Sequence, residues 1–398
     1  MTDNKKKVVL AYSGGLDTTY CALYLSKELN MEVYTALGNT GGFSASELKE
    51  IEERTKTLGV KAHATLDVTQ EYYDKCIKYM IMGNVLKNHT YPLSVSSERA
   101  FQAMAIAQYA HEIGADYIAH GSTGAGNDQI RFDLIFNIMA PNAKIITPTR
   151  DLELSRETEI NYLKEHGVSA NFEKMEYSIN AGIWGTSIGG KETLSSDQPL
   201  PEEAYPSQIT KTEPCKMEIG FDKGELVSVD GETFSNPLDA IKKIGAIGSS
   251  YGIGRDMHVG DTILGTKGRV AFEAAAPLMI LKAHLTLEKH TLTKWQMYWK
   301  EQLSNWYGML LHEAQYLEPV MRNIETFLTD SQKNVTGTVT LKLYPKYFEV
   351  EGICSDHDLM NDAFGKYGES TQGWTPEDVK GFTNILSNPL KIYYTINK

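Results

Sequence analysis

A short apolar run at residues 8–12 ends in Ser13-Gly14-Gly15, and a helical pattern over residues 16–29 begins directly behind it. This strand–glycine–helix junction constrains the chain more than any other feature. Two adjacent glycines let the backbone turn tightly and bring its N–H groups against a ligand. The start of the following helix adds partial positive charge and free N–H donors, so the junction is a ready anion site. Residues 33–37 read as a second strand, 46–58 as a helix with Leu48, Ile51 and Leu58 on one face, and 61–68 as a third strand. A helical stretch to about residue 87, an Ala-rich helix near 99–113 and short strands at 117–119 and 145–146 follow. Strands alternating with helices predict βαβ units and a parallel sheet. In such α/β folds ligands sit at the carboxyl ends of the strands, where the Gly-rich segments of this chain fall.

The pattern then changes. Pro199, Pro201, Pro206 and Pro214 punctuate a polar connection, after which Cys215, Met217, Ile219 and Phe221 alternate with Lys216, Glu218 and Gly220. Asp230-Gly231 is a turn signal. A long helical stretch around 295–317 precedes a second alternating run at 335–343, and residues 375–386 predict one projecting helix. The second half is therefore expected to be α+β on antiparallel strands. A chain of 398 residues exceeds one typical core. The expected division is 1–170, 171–360 and a tail at 361–398.

Charge and composition exclude several classes. Acidic residues outnumber basic ones, 51 against 39, and no Lys/Arg stripe is present, so nucleic acid is not an expected partner. No apolar stretch approaches the roughly 18 residues of a membrane span, and the N-terminal stretch has no apolar h-region. Cytoplasmic location is the expectation. Cys21, Cys76, Cys215 and Cys354 have no C-x-x-C spacing and are expected to be free thiols. The ten histidines form no metal pattern, and His312-Glu313 lacks the second histidine of H-E-x-x-H. Trp295, Trp299 and Trp306 lie at roughly helical spacing and read as packing or subunit contact.

The segment from Ala11 and Tyr12 through Ser13, Gly14, Gly15, Leu16, Asp17, Thr18 and Thr19 carries the chemistry. Its hydroxyls suit phosphate oxygens, and Asp17 suits a magnesium ion beside them. It has neither the lysine of a Walker A loop nor the spacing of a dinucleotide fold. S-G-G-x-D-[ST] after the first strand of a βαβ chain resembles the pyrophosphate-binding loop of the ATP pyrophosphatases. Three further segments narrow the resemblance. The run from His120-Gly121-Ser122-Thr123 to Asn127-Asp128-Gln129-Ile130-Arg131-Phe132, the stretch Tyr91-Pro92-Leu93 with Ser96 and Arg99, and Tyr177-Ser178-Ile179-Asn180 with Trp184-Gly185-Thr186-Ser187 are similar to segments of the argininosuccinate synthase family.

The resemblance implies an adenine nucleotide α-hydrolase-like parallel-sheet domain, an α+β synthetase domain and a C-terminal helix. It implies that citrulline and aspartate are joined at the expense of ATP, with release of AMP and pyrophosphate through citrullyl-AMP. It implies ATP and Mg2+ as cofactors and a homotetramer with exchanged C-terminal helices. Carried over, residues 11–19 hold the pyrophosphate, and Gly38 and Gly121 lie near the rest of the nucleotide. Thr123, Asn127 and Asp128 hold aspartate, while Tyr91, Ser96, Asn127, Arg131, Ser178 and Ser187 hold citrulline. Asp17, Asp128 and Arg131 are the expected catalytic groups, and Arg131 suits a carboxylate as a forked cation. Arg99 has two readings, substrate contact or structural ion pair.

The chain departs from the family pattern. Thr19 stands for serine, and Ala125 for a lysine. On the register of Gly254-Arg255 and Lys267-Gly268-Arg269, the family's citrulline-binding glutamate falls at Gly260 and its tyrosine at Phe272. Either Asp261 takes over that charge, or the substrate is an N-acylated citrulline. An RNA-thiolating ATP pyrophosphatase is a rival that wants paired cysteines and a basic face. A non-catalytic ATP sensor is another, opposed by the serine pair Ser178 and Ser187.

Overall fold

The computed structural model describes residues 5–168, 177–360, 362–369 and 373–398. The first five strands are β1 (Lys7–Ala11), β2 (Glu32–Asn39), β3 (Ala62–Asp67), β4 (Tyr117–His120) and β5 (Lys144–Ile146). They form one parallel sheet in the order β3-β2-β1-β4-β5. β1 is central because Val8, Val9 and Leu10 are fully buried, which a strand covered by helices on both faces requires. The sheet runs one way from β1 to β3 and then resumes at β4 on the other side of β1. The break in order between β1 and β4 is where a crevice opens at the carboxyl ends of the strands.

The helices that flank this sheet begin where the sequence places caps. Ser44 and Glu47 close a capping box on the helix Ala45–Thr55, and Gly15 starts Leu16–Lys27 without a side-chain cap. The helix Ser94–Glu112 buries twelve of its residues between the parallel sheet and the second half of the chain. It thereby holds the two halves in register around the crevice.

The rest of the chain builds two antiparallel sheets. β6 (Ser178–Gly182) and β7 (Gly185–Gly189) form a hairpin, followed by β8 (Cys215–Asp222), β9 (Glu225–Val229) and β10 (Glu232–Thr233). β11 (Arg255–Asp261) and β12 (Lys267–Glu273) form another hairpin, and β13 (Gly337–Tyr344) and β14 (Tyr347–Cys354) a third. One sheet has the order β10-β9-β8-β13-β14 and the other β11-β12-β7-β6. The alternation read at 335–343 is real: Val339, Leu341 and Leu343 are buried in β13, and their neighbours face outward. The largest apolar core lies under these sheets and includes Trp184, Phe272, Tyr307 and Leu341.

Several sequence expectations shift at their edges. The stretch expected to be helical at 295–317 is the helix Lys294–His312, interrupted by Ala314 in a left-handed conformation and closed by the single turn Gln315–Leu317. The projecting helix is longer than expected, Pro376–Ile396, and carries no buried residue. Trp295, Trp299 and Trp306 do not pack inside the chain: each is more than half exposed. All four cysteines are free. Among the described residues no helix is long and apolar enough to cross a membrane. The expected boundary at 170/171 lies outside the described residues.

Candidate active site

A cleft of ≈ 860 Å³ opens at the ends of β1, β2 and β4, with Ser178 to Ala181 of β6 on its far wall. At its floor, the chain leaves β1 through Tyr12, whose N–H still donates to the Ala36 carbonyl at 2.9 Å. Gly14 then adopts φ +77°, a conformation that favours glycine, and a Cβ there would lie 3.0 Å from the Ile51 side chain. The Ser13 and Thr18 hydroxyls sit 3.3 Å apart across the turn. Arg54, from the neighbouring helix, donates to the Gly14 carbonyl and lines the cleft beside the loop. It puts a cation where an anion would sit, and no local pattern in the sequence singles it out.

Asp17 also lines the cleft. Behind it lies the buried carboxyl of Glu159, which accepts from the Thr149 hydroxyl at 3.0 Å. Burial first, and the Asp17 carboxylate second, push Glu159 up to about 8. Burial beside Asp17 thus favours the protonated form of Glu159 and lessens the negative charge behind the loop. Among the described residues no three His, Cys, Asp or Glu side chains cluster as a metal site. Asp17 with the flanking hydroxyls fits magnesium only if phosphate oxygens and water complete the shell, as that ion prefers.

The segment after β4 comes in close. A Cβ on Gly121 would lie 3.1 Å from both the Asp17 carbonyl carbon and the Thr18 nitrogen, so a side chain there would push the two segments apart by a few tenths of an ångström. A Cβ on Gly38, at the end of β2, would lie 2.9 Å from the Gln102 Cα. His120 is fixed by Asp133, at 2.9 Å, and by the Ser122 N–H. Thr123 lines the cleft and is exposed. The Asn127 amide oxygen accepts from the Ile263 N–H at 2.9 Å, which ties the β11–β12 turn to this wall of the cleft.

The helix Asp128–Met139 starts at a clamp. Asp128 Oδ2 accepts from Arg99 Nε at 2.9 Å and Oδ1 from Arg131 Nη1 at 2.8 Å. Arg99 also donates to Glu98, Gln102 and Asn180. Arg131 donates to the His312 carbonyl and to His312 Nδ1. Burial alone would raise Asp128, but the two guanidiniums hold it down at about 2. Burial pushes Glu98 up to about 7 despite Arg99 and the Thr40 hydroxyl. Arg99 is thus ion-paired with Asp128 and Glu98, lines the cleft and bridges the two halves of the chain. Arg131 is not the free fork that the sequence suggested, since its N–H groups are engaged by Asp128 and His312.

A second group lies behind this cleft. The hydroxyl of Tyr91 meets that of Ser187 at 2.9 Å, and Ser94 approaches both at 3.3 Å. Phe272, cross-strand from Ser187, packs its ring 5.5 Å from that of Tyr91. Ser96 is buried and turns back to the Leu93 carbonyl. Leu16 and Thr19 are buried, and the Thr19 hydroxyl faces that of Tyr12 rather than the cleft. The Asp261 carboxylate is not brought to either group: it is exposed and ion-paired with Lys267 at 2.6 Å, while its backbone lies beside His312. Strand alternation is the cause, because Gly260 turns inward and residue 261 must then turn outward.

The model of the arginosuccinate synthase N-terminal HUP domain matches residues 7–169, and that of the arginosuccinate synthase C-terminal domain matches residues 177–393. The chain belongs to the argininosuccinate synthase family. It is 36% identical to the argininosuccinate synthase of Methanocaldococcus jannaschii over 91% of each chain. It is 33% identical to that of Xylella fastidiosa over 99% of each chain, and 34% identical to that of Dictyoglomus turgidum over 96% of each. The family assignment covers both halves, so the cleft between β1, β4 and β6 belongs to the family's fold.

Proposed function

We propose that the chain joins aspartate to the ureido group of citrulline at the expense of ATP, through citrullyl-AMP, releasing AMP and pyrophosphate. The observation that carries this is the Ser13–Thr18 turn at the switch point, opposed by Arg54 and closed by Gly121. The turn receives the pyrophosphate half of ATP on backbone N–H groups and hydroxyls, and Asp17 would hold Mg2+, which would supply charge neutralisation there. A ureido oxygen is a poor leaving group until it is phosphorylated, so attack on the α-phosphorus activates it for displacement. Asp128 keeps its negative charge down to about pH 2 and is a third exposed, which suits the ammonium of aspartate. Arg99 and Arg131 fix that carboxylate rather than meeting substrate themselves. Catalysis is then positioning and charge neutralisation, with no protein nucleophile.

The division at about residue 170, the cytoplasmic location and the homotetramer belong to the same proposal. The helix Pro376–Ile396 supports the last, with Val379, Phe382, Leu386, Leu390 and Tyr393 exposed at helical spacing. Purified protein with ATP, Mg2+, aspartate and a ureido amino acid is expected to release AMP and pyrophosphate in equal amounts. Formation of ADP and phosphate would overturn the proposal.

A further inference from the structure

The sheet of β11, β12, β7 and β6 turns one face toward the substrate groups. Cross-strand pairing sets Asn180, Ser187, Phe272 and Asp256 on that face, and alternation along β11 and β12 adds His258, Gly260, Val270 and Gly268. Asn180 and Ser178 reach the cleft, and Ser187 meets Tyr91. On the register that sets Gly260 and Phe272 where the family has its citrulline-binding glutamate and tyrosine, the β11 end of this face receives the amino-acid end of the ureido substrate.

Among the described residues of that end, the carboxylate on this face is Asp256, opposite Phe272 across the strands, and it is exposed and already accepts from the Met257 N–H at 2.7 Å. At Gly260 a Cβ would lie 2.6 Å from His258 Nε2, so the imidazole occupies the space that a side chain at 260 would use. Phe272 offers a ring and no hydroxyl. Asp261 points to the other face and is paired with Lys267. The groups that face inward beside Gly260 are a histidine and a lysine. His258 is buried, stacked on Tyr91 at 5.3 Å, and its Nδ1 has no hydrogen-bond partner. A buried polar atom without a partner points to a missing ligand or water. Lys87 is half-buried, and its ammonium acts with burial to hold His258 below the usual imidazole range. Asn88, 3.5 Å from the Gly260 Cβ position, is exposed, so this end opens to solvent.

A free α-ammonium placed among a lysine, a neutral imidazole and aromatic rings would lose its hydration without gaining a counter-ion, which is costly. Acylation removes that charge and supplies an amide that His258 can bond. A carboxylate at the end of the acyl group answers Lys87. We propose that this enzyme's ureido substrate is a citrulline whose α-nitrogen carries an acyl group ending in a carboxylate, the half-amide of a short dicarboxylic acid. The inference rests on the ureido-activation reading above and specifies its substrate.

The test measures pyrophosphate release with ATP, Mg2+ and aspartate for citrulline, N-acetylcitrulline and N-succinylcitrulline. The expected result is a kcat/KM for the succinyl compound about 100-fold above that for free citrulline, as charge-assisted contacts allow. In Lys87→Met the succinyl-to-acetyl ratio is expected to fall about tenfold. Lys87 is on a partly exposed loop, so this variant keeps the fold. Equal or better use of free citrulline overturns the inference and leaves the ligase reading intact. So does equal use of the acetyl and succinyl compounds, or a preference for free citrulline that Asp256→Asn removes. Release with none of the three overturns the ligase reading itself.

Discussion

Asp128 and Arg131 are one helical turn apart and bonded at 2.8 Å, while Arg99 reaches the other oxygen of the same carboxylate from a different helix at 2.9 Å. The carboxylate therefore bridges two buried guanidiniums and still presents a third of its surface to the cleft. Asp128→Asn leaves Arg131 without its carboxylate and Arg99 with Glu98 alone. The variant is expected to lose on the order of 2 kcal/mol of unfolding free energy and to raise KM for aspartate more than KM for ATP. Urea unfolding and steady-state kinetics measure the two effects. A variant with wild-type stability and unchanged aspartate KM would show that the bridge matters to neither.

Glu98 gives the fold a pH dependence of known sign. Its carboxyl is pushed up to about 7 from an ordinary 4.5, so between those values the folded chain holds a proton that the unfolded chain has lost. This group's contribution to stability is therefore largest below about pH 4.5 and declines as pH rises to about 7. Asp128 acts in the opposite sense and lower down. Its contribution is complete above 3.8 and is lost as pH falls toward 2. Unfolding free energies at pH 5 and pH 7.5 are expected to differ less in Glu98→Gln than in the unaltered chain.

Gly121 is set against backbone atoms, which cannot move aside as a side-chain tip can. Gly121→Ala must push the segment after β4 away from the pyrophosphate turn. Overpacking of this kind costs about 1–3 kcal/mol, and KM for ATP is expected to rise about tenfold or more. An alanine variant with an unchanged ATP KM would show that the approach of the two segments is incidental.

Thr18 and Thr19 are adjacent but differently placed. Thr18 lines the cleft with its hydroxyl beside Ser13, whereas Thr19 is fully buried and faces Tyr12. Thr18→Val is expected to weaken ATP binding by about tenfold, the worth of a hydrogen bond to a charged group. Thr19→Val is expected to change ATP KM little and to act on stability. The reverse ranking would place the hydroxyl of Thr19 on the nucleotide.

The parallel sheet was legible because buried strands and glycine turns leave local marks, as at Val8–Leu10 and Ser13-Gly14-Gly15. The sheet of β6, β7, β11 and β12 left none. Its inner face carries Ser178, Asn180, Ser187, Gly260 and Gly268, residues too small and polar to show an apolar period of two. Asp128 and Arg131 are at helical spacing, but Arg99 lies 29 residues before Asp128 and no spacing rule connects those two. Pro389 interrupts the periodic pattern of the last helix, so the expected end near residue 386 fell short of Ile396.

The central claim is that a ureido oxygen attacks the α-phosphorus of ATP on the Ser13–Thr18 turn. Its most direct test uses a ureido substrate labelled with 18O on the ureido oxygen, with the AMP and pyrophosphate formed in the presence of aspartate analysed by mass spectrometry. The account predicts one labelled oxygen in the phosphate of AMP and none in pyrophosphate. Unlabelled AMP, label in pyrophosphate, or ADP as the nucleotide product would contradict it.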